Sequence, residues 1–552
     1  MRVSKNIHWF IYGLFVLACA RQSSPTGGPK DTIPPSLIST IPPNESTNFN
    51  GTEIELLFNE MVQLDNPREE LIINPSVGKD YKIEARKNSI IISKLETLQD
   101  STTYTFNFRE SVKDVTERNP TEGLRLALST GAYIDSLSVK GTVVKQITQE
   151  PQKEITVTLT EYSDTFSLFQ HSSTYFTQTN DKGEFLLENL KPGLYWLNAI
   201  DDRNKNLIAD SKSEAYGFVA DSILLDGNKE GFQIGTVNLD ARDLKLTSAR
   251  PYNTYFNIKL SKNARSIHIS ATDSSDLYYA FGTDRANIQV YNALTNRDSI
   301  AIRITATDSI NNKIDTTLYA KFSEREIQPE KFTAEQTKTS WVLDEEQIST
   351  TIKFSKPLKE INFDSTYLIM DSATRIPFTQ ELVNYDEPNR ELTLKNKVAK
   401  STWLARQEQA TANETPVAPA IIYLGKAAFI SVENDSSTRL TQSIMPEKAE
   451  DLGIIIAETS PMPETQIIEL LDKQGNIIRR ETGKKIVTFS NLKPGEYQLR
   501  SVIDRNNNNQ WDPGNYLTKT EPERITYYRN DEGTKVIKLN ANWELGPLLI
   551  TY

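Results

Sequence analysis

The sequence predicts an all-β protein, built from tandem β-sandwich domains that follow a short N-terminal segment. Runs of β-branched and aromatic residues recur at the short spacing typical of sandwich strands, and turn-forming Asn, Asp, Gly and Pro separate them. One motif occurs twice, which indicates that a domain has been duplicated. No long amphipathic helix appears, and we expect a loop over 405–415, where a short helix is the alternative.

The repeated motif is Asn-Leu-Lys-Pro-Gly-x-Tyr, found at 189–195 and again at 491–497. Six residues later each copy continues into an Asp/Asn-rich loop, at 202–210 and at 504–512. The Pro-Gly pair predicts a hairpin turn, and the residues after it predict a strand that leads into the loop. We therefore expect the same sandwich at two places in the chain.

A chain of 552 residues is too long for one hydrophobic core and predicts about four or five domains. Strand runs and turn clusters set the expected boundaries. We predict a signal peptide at 1–18, a lipidated cysteine and tether at 19–32, a first sandwich at 33–131, a second at 132–244, a middle one at 245–337, a fourth at 338–447 that is a degenerate copy of the first, and a fifth at 448–552 that repeats the second.

The N-terminus carries the strongest localisation signal. Arg2 and Lys5 precede an apolar run at 9–18 that is too short to span a bilayer and is typical of a signal peptide. The run ends at Val16-Leu-Ala-Cys19, which resembles a bacterial lipobox, and Cys19 is the only cysteine in the chain. This resemblance implies acylation of Cys19 and anchoring in outer-membrane lipid. No acidic run that would resemble a surface-export signal follows Cys19, which favours the periplasmic face.

Four short motifs point to a known domain family. They are Gly-Gly-Pro-Lys-Asp at 27–31, Pro34-Pro35, Phe-Asn-Glu at 58–60 and Ser-Thr-Gly at 129–131. In this order they resemble the SbsA-type bacterial Ig-like domain that opens lipoproteins of the Bacteroidota. The second and fifth sandwiches resemble the transthyretin-like, or carboxypeptidase-regulatory-like, sandwich. The resemblance implies a cell-envelope protein of tandem sandwiches.

The net charge argues against one class of partner. It is −11 for the whole chain and becomes −13 once Arg2 and Lys5 leave with the signal peptide. Affinity for phosphate backbones comes from a surplus of Lys and Arg. We therefore expect no nucleic-acid binding.

The two acidic loops are the candidate metal sites. Side-chain oxygens on alternate residues can converge on Ca²⁺, and the loops place them at positions 1, 3, 5 and 9. The residues are Asp202, Asn204, Asn206 and Asp210, matched by Asp504, Asn506, Asn508 and Asp512. Position 6 is not Gly and position 12 is not a bidentate Glu, although Glu214 lies one residue late, so the expected Kd is on the order of 10⁻⁴ to 10⁻³ M. The alternative is an Asn/Asp-rich turn held by side-chain-to-backbone hydrogen bonds, and both interpretations stay open.

The sequence predicts that the protein is not an enzyme. His8 leaves with the signal peptide, while His171 and His268 lie in different predicted domains without ligand-spaced partners. No Gly-x-Ser-x-Gly motif or phosphate loop is present, and acylation would consume the one cysteine.

These observations favour a lipid-anchored scaffold or binding module that meets an envelope protein or a glycan. The alternative is a carbohydrate-binding accessory lipoprotein of a glycan-uptake system. Paired aromatics at Tyr278, Tyr279 and Phe281, or at Tyr527 and Tyr528, are candidates for a sugar-binding platform, although such pairs also serve as strand core.

Overall fold

The computed structural model describes residues 31–96, 98–273, 277–291, 299–322, 328–462 and 465–552. The predicted signal peptide, Cys19 and the tether up to residue 30 lie outside the described residues. Within them, helical structure is limited to two α-helices and three short 3-10 turns, and strands make up the rest of the regular structure. None of the described helices is long and apolar enough to cross a membrane. The predicted fold class, all-β with tandem sandwiches, is confirmed.

The first domain forms because its strands alternate between core and solvent. In Glu53–Phe58, for example, Ile54, Leu56 and Phe58 are fully buried while the residues between them are exposed or half-buried. A four-stranded sheet, in the order β1-β2-β6-β5, lies with a three-stranded sheet β4-β7-β9 and the pair β3-β8 around one core. The elements are β1 Leu37–Ile41, β2 Glu53–Phe58, β3 Val62–Leu64, α1 Pro67–Glu70, β4 Ile72–Asn74, β5 Lys82–Arg86, β6 Ser89–Ser93, β7 Thr103–Asn107, β8 Val112–Asp114 and β9 Arg125–Ser129.

The second module, which follows the first domain, has nine strands in two sheets. In the smaller sheet β10 pairs antiparallel with β11 and β14 and parallel with β18; the larger sheet has the order β13-β12-β15-β16, with β17 also on β15. The strands are β10 Leu137–Lys145, β11 Glu150–Pro151, β12 Thr156–Glu161, β13 Tyr175–Gln178, β14 Glu184–Leu190, β15 Gly193–Ile200, β16 Tyr216–Phe218, β17 Ile223–Leu225 and β18 Lys229–Thr236.

The middle domain contains two sheets, β19-β20-β23-β22 and β21-β24-β25, packed around one apolar core. Its strands are β19 Leu246–Tyr252, β20 Tyr255–Leu260, β21 Ser266–Ala271, β22 Tyr278–Phe281, β23 Asn287–Tyr291, β24 Ser299–Thr307 and β25 Lys313–Lys321.

The fourth domain contains the sheets β26-β27-β32-β31 and β30-β29-β33-β35 and the pair β28-β34. Its first strand begins at Ala334, before the predicted boundary at 338, and joins this domain by pairing with β27. The elements are β26 Ala334–Val342, β27 Gln347–Phe354, β28 Leu358–Ile361, β29 Thr366–Ile369, β30 Arg375–Pro377, β31 Val383–Asp386, β32 Glu391–Lys397, α2 Lys400–Ala412, β33 Ala420–Leu424, β34 Phe429–Ser431 and β35 Leu440–Ile444.

The prediction of a loop over 405–415 is wrong, because the helix α2 extends through residue 412. Trp403 is the one residue of α2 that is buried, and its ring packs edge-on against Trp341 with the centroids 5.0 Å apart. A helix attached through a single large side chain shows no 3.6-residue apolar period, which is the signal that a sequence pattern would need.

The C-terminal module repeats the connectivity of the second module. β36 pairs antiparallel with β39 and parallel with β43, and the larger sheet has the order β38-β37-β40-β41 with β42 also on β40. The strands are β36 Gly453–Ser460, β37 Ile467–Asp472, β38 Ile477–Thr482, β39 Ile486–Leu492, β40 Gly495–Val502, β41 Ile525–Tyr527, β42 Ile537–Leu539 and β43 Glu544–Thr551.

The chain closes on itself, since the C-terminal module packs against the second module. The Tyr516 hydroxyl accepts a hydrogen bond from the Leu168 amide at 3.0 Å, and the Gln146 side chain donates to the Glu523 carbonyl at 2.9 Å. A buried apolar cluster joins three units here, with Tyr216 from the second module, Ile310 from the middle domain and Tyr516 from the C-terminal module. Both acidic loops contribute to this cluster, the first through Ala209 and the second through Trp511.

Candidate functional site

The first acidic loop, residues 202–210, leaves the end of β15 and is held by its own side chains. Asp202 accepts hydrogen bonds from the amides of Asn206, at 3.1 Å, and Leu207, at 2.9 Å. The backbone turns through positive φ at Lys205, 56°, and at Leu207, 61°. A leucine in the left-handed region costs free energy, and here the Leu207 side chain is buried, which offsets that cost.

The second acidic loop, residues 504–512, follows β40 with the same hydrogen bonds. Asp504 accepts from the amides of Asn508, at 3.1 Å, and Asn509, at 2.8 Å. Positive φ again falls at the fourth and sixth positions, here Asn507, 57°, and Asn509, 60°. Asparagine tolerates this conformation better than leucine does, because its short polar side chain bonds locally. The duplication therefore extends to the backbone conformation of the loop.

A buried glutamate closes each loop. The Glu214 carboxylate accepts from the amides of Arg203, at 3.2 Å, and Asp210, at 2.8 Å. In the second loop Glu523 accepts from the amides of Arg505, at 2.7 Å, and Asp512, at 2.9 Å. Both carboxylates are 2% exposed. Each loop thus has three carboxylates rather than two.

The sequence pattern alone missed Glu523. Glu214 follows Asp210 by four residues, whereas Glu523 follows Asp512 by eleven, so comparison at fixed offsets cannot align them. Ten residues, 513–522, thus take the place of three in the first loop, and they form a short excursion whose Tyr516 reaches the second module. A search for a Glu two residues before each of the equivalent strands β16 and β41 would have found both.

The second acidic loop carries contacts that the first lacks. Asp512 accepts from Arg265 of the middle domain at 3.1 Å, and also from the side-chain amides of Asn506 and Asn508. Burial raises the pKa of the Glu523 carboxyl, and the nearby Asp512 and Asp504 add to that rise. In the first loop the Ser213 hydroxyl lowers the pKa of Asp210.

The donor set of the loops suits an oxygen-preferring cation such as Ca²⁺. However, Asp202, Asn204, Asn206 and their counterparts already accept loop amides. Among the described residues, no group of three or more His, Cys, Asp or Glu side chains is arranged to hold a metal ion. The hydrogen bonds account for the loop conformation without an ion, and the calcium interpretation stays a prediction.

The two described histidines lie in different domains. His171 Nδ1 accepts from the Ser167 amide at 3.0 Å in a loop of the second module. His268 is an exposed residue of β21 in the middle domain.

The aromatic pairs do not form an exposed platform. Tyr279 and Phe281 are buried in the core of the middle domain, and Tyr527 is buried with its hydroxyl donating to the Ile147 carbonyl at 3.0 Å. Tyr278 and Tyr528 are half-buried against apolar clusters. The strand-core interpretation of these pairs holds.

Two clefts lie between neighbouring domains of the chain. A cleft of 590 Å³ separates the first domain from the second module and is lined by Tyr81, Phe176 and residues 202–207. Its charged side chains are mostly paired, for instance Lys205 with Glu69 at 3.2 Å. A cleft of 630 Å³ between the second and C-terminal modules is lined mainly by polar groups, including Gln149 and Arg529.

Comparison with known proteins supports the identity of the first domain. The family model described as bacterial Ig-like domain matches residues 31–130, so the first domain is Ig-like, as predicted. A search of curated proteins finds no match.

Alignments with solved structures of bacterial proteins extend over much of the chain. The TIE protein of Bacillus anthracis has 11% identity and a TM-score of 0.13, with 100% of this chain and 79% of that chain covered. BcpA, the major pilin subunit of Bacillus cereus, has 10% identity and a TM-score of 0.13, with 76% and 99% covered. TM-scores this low do not establish a shared overall fold.

Proposed function

We propose that the protein is a non-enzymatic, lipid-anchored protein of the bacterial cell envelope, in which tandem sandwiches form a rigid scaffold that binds a partner at the outer membrane. The closure of the C-terminal module onto the second module carries this proposal. It joins units far apart in the chain through buried apolar contacts and hydrogen bonds. Such a body holds binding surfaces at fixed distances, as a scaffold requires.

The anchor would be the acylated Cys19, joined to the first domain by the tether at 20–32. In this proposal the chain is a Bacteroidota lipoprotein whose two repeated modules are transthyretin-like, located on the periplasmic face of the outer membrane. The lipobox and the absence of an acidic run after Cys19 support it.

A protein partner would meet the exposed edge of the first domain. β1 is an edge strand, and Ile38 and Ile41 on it are 61% and 67% exposed. An exposed apolar edge strand is a template for pairing with a strand of another chain. The edge begins directly after the tether, where a membrane-bound partner would be within reach.

Expression in native membranes tests the anchor. Mass spectrometry of the wild-type chain is expected to show the added mass of acyl chains at Cys19, and the chain is expected to fractionate with the outer membrane. Cys19→Ser should lose both, whereas the control Ser23→Ala in the tether should lose neither. A wild-type chain without acyl mass would overturn the anchor.

Cross-linking in the same membranes tests the edge. Ile38→Lys with Ile41→Lys should abolish a cross-link to an envelope protein. The control Leu224→Lys places a lysine at an exposed apolar position of β17 in the second module and should leave the cross-link intact. Equal loss from both variants would contradict binding at β1.

A carbohydrate-binding accessory lipoprotein is the second candidate. The observation that favours it is a cleft lined by three arginines at the junction of three units.

A further inference from the structure

A cleft of 400 Å³ lies where the second module, the middle domain and the C-terminal module meet. Its lining includes three arginines: Arg265 from the middle domain, and Arg480 and Arg500 from the C-terminal module. We call it the three-arginine cleft. In a chain with a net charge of −11, three guanidinium groups around one small volume call for a local explanation.

Two of these arginines lie in one row across the larger sheet of the C-terminal module. Glu469 on β37 is the register partner of Arg480 on β38 and of Arg500 on β40. Arg480 Nε and Nη2 donate to one Glu469 oxygen at 2.9 and 2.6 Å, and Arg500 Nε donates to the other at 2.6 Å. Glu469 is fully buried, and the two arginines neutralise its charge inside the protein.

The charges around the cleft do not balance. Arg265 pairs with Asp512 at 3.1 Å and donates to the Gln510 side chain, while Arg480 and Arg500 share Glu469. Among the charged residues that line the cleft and their direct ion-pair partners, three arginines face two carboxylates, which leaves one arginine without a carboxylate of its own. Arg500 is 8% exposed, and no described residue accepts a hydrogen bond from its Nη2. A nearly buried donor beside a cleft is a favourable partner for an anion.

The duplicated module shows that this fold does not need the charged row. At the equivalent positions of the second module, Thr158 on β12 is the register partner of Phe176 on β13 and of Asn198 on β15. That row is uncharged, yet the sheet has the same order. The arginines and Glu469 therefore have a use beyond forming the sheet.

The remaining lining indicates what kind of anion fits. The cleft is larger than a bare inorganic oxyanion requires and lies within the range of small-molecule sites. Trp511 lines it with its ring fixed by a hydrogen bond from Nε1 to the Glu523 carbonyl at 3.0 Å, and Ile477 is 45% exposed beside it. Aromatic and aliphatic surface contributes contact area to a ligand that carries a ring. We infer that the three-arginine cleft binds a sugar acid, with its carboxylate at Arg480 and Arg500 and its ring against Trp511.

This inference goes beyond the scaffold role and does not depend on the anchor. Calorimetric titration of the full chain in detergent with D-glucuronate tests it, since the acylation state of Cys19 does not enter the measurement. We expect binding with a Kd of about 1 mM or tighter. D-glucose, the neutral counterpart, should bind at least about tenfold more weakly. Sulfate separates a sugar-acid site from a bare oxyanion site, because it lacks the ring.

Substitutions on β38 give a matched pair. Arg480→Gln should weaken glucuronate binding about tenfold or more, because it removes a charged donor from the cleft. Arg479→Gln removes the same charge one residue away, where the side chain donates to the Ser490 carbonyl, and should leave the affinity unchanged. Arg265→Gln should also weaken binding and leaves the pairs of Arg480 and Arg500 with Glu469 in place.

Three outcomes would overturn the inference. They are no glucuronate binding, equal binding of glucuronate and sulfate, or equal losses from Arg480→Gln and Arg479→Gln. Thermal unfolding of each variant serves as the folding control, and a variant that unfolds is replaced by Arg265→Gln in the comparison.

Discussion

The second and C-terminal modules share one strand order and one loop design but differ on the outer face of the larger sheet. Across the equivalent strands, one has the row Phe176, Thr158 and Asn198, and the other has Arg480, Glu469 and Arg500. The hydroxyl of Thr158 and the amide nitrogen of Asn198 are buried without a hydrogen-bond partner, whereas Glu469 is bonded on both oxygens. The cores define the sandwich, and the outer face is free to diverge.

The loops show the same separation. Both close through an Asp at the first position and a buried Glu, but only the second contains the excursion at 513–522. That excursion carries Tyr516, which docks on the second module, and Lys519, whose ammonium lies over the rings of Trp196, at 4.4 Å, and Tyr516, at 3.6 Å. An insertion in one copy has turned a local loop into an interdomain contact.

The largest expected difference between the modules lies at the charged row. Glu469→Ala removes the carboxylate that pairs with two arginines and leaves Arg500 buried without an ion-pair partner. We expect the free energy needed to open β37 to fall by about 3–5 kcal/mol. Thr158→Ala at the equivalent position removes a hydroxyl without a partner and should cost under about 1 kcal/mol. Native-state hydrogen exchange of β37 and β12 amides measures both. Equal effects would refute the contrast.

The closing glutamates should matter equally in both modules. Glu214→Ala and Glu523→Ala each remove a buried acceptor of two backbone amides, and each should cost about 2–3 kcal/mol in local opening. Exchange of the Arg203 and Arg505 amides reports the loss, and the exposed Glu496→Ala is the control. A large effect in one loop only would mean that the two glutamates are not equivalent.

The docking contact exists only in the C-terminal copy and should have a smaller effect. Tyr516→Phe removes the hydroxyl that accepts from the Leu168 amide while keeping the ring in its apolar cluster, and should cost about 1 kcal/mol. Faster exchange of the Leu168 amide would reveal it. Tyr319→Phe, at a side chain 75% exposed, should change nothing.

Calcium should have the smallest effect and should favour the first loop. With a Kd on the order of 10⁻⁴ to 10⁻³ M, millimolar Ca²⁺ would stabilise a loop by about 1 kcal/mol or less. Arg265 forms an ion pair with Asp512, so the second loop should bind Ca²⁺ more weakly than the first. Arg265→Gln should reduce the difference in Ca²⁺ affinity between the two loops. Calorimetric titration of the full chain and of its Asp202→Asn and Asp504→Asn variants separates the loops. No heat of binding would end the calcium interpretation.

The sequence predicts what local patterns and fixed spacing encode. Strand alternation at Ile54, Leu56 and Phe58 predicts the first sandwich. Asp202 and Asp504 follow their copies of the repeated motif at the same distance, which predicts the duplication. The longer segment between Asp512 and Glu523 hides Glu523, because comparison at fixed offsets from the loop cannot align it with Glu214. The three-arginine cleft was beyond prediction for another reason. Arg265 and Arg480 are separated by more than two hundred residues, and no local pattern reports that they share a surface.

The closure between the second and C-terminal modules also constrains the order in which the chain folds. The hydrogen bond from Leu168 to Tyr516 joins residues 348 positions apart, so it forms only after nearly the whole polypeptide is available. During synthesis each sandwich can complete its own core, but Tyr216 and Phe218 stay uncovered until the last module has folded. A chain shortened before residue 516 would leave that apolar surface open to aggregation and proteolysis. The stability of the second module's apolar surface in water therefore depends on completion of the last module.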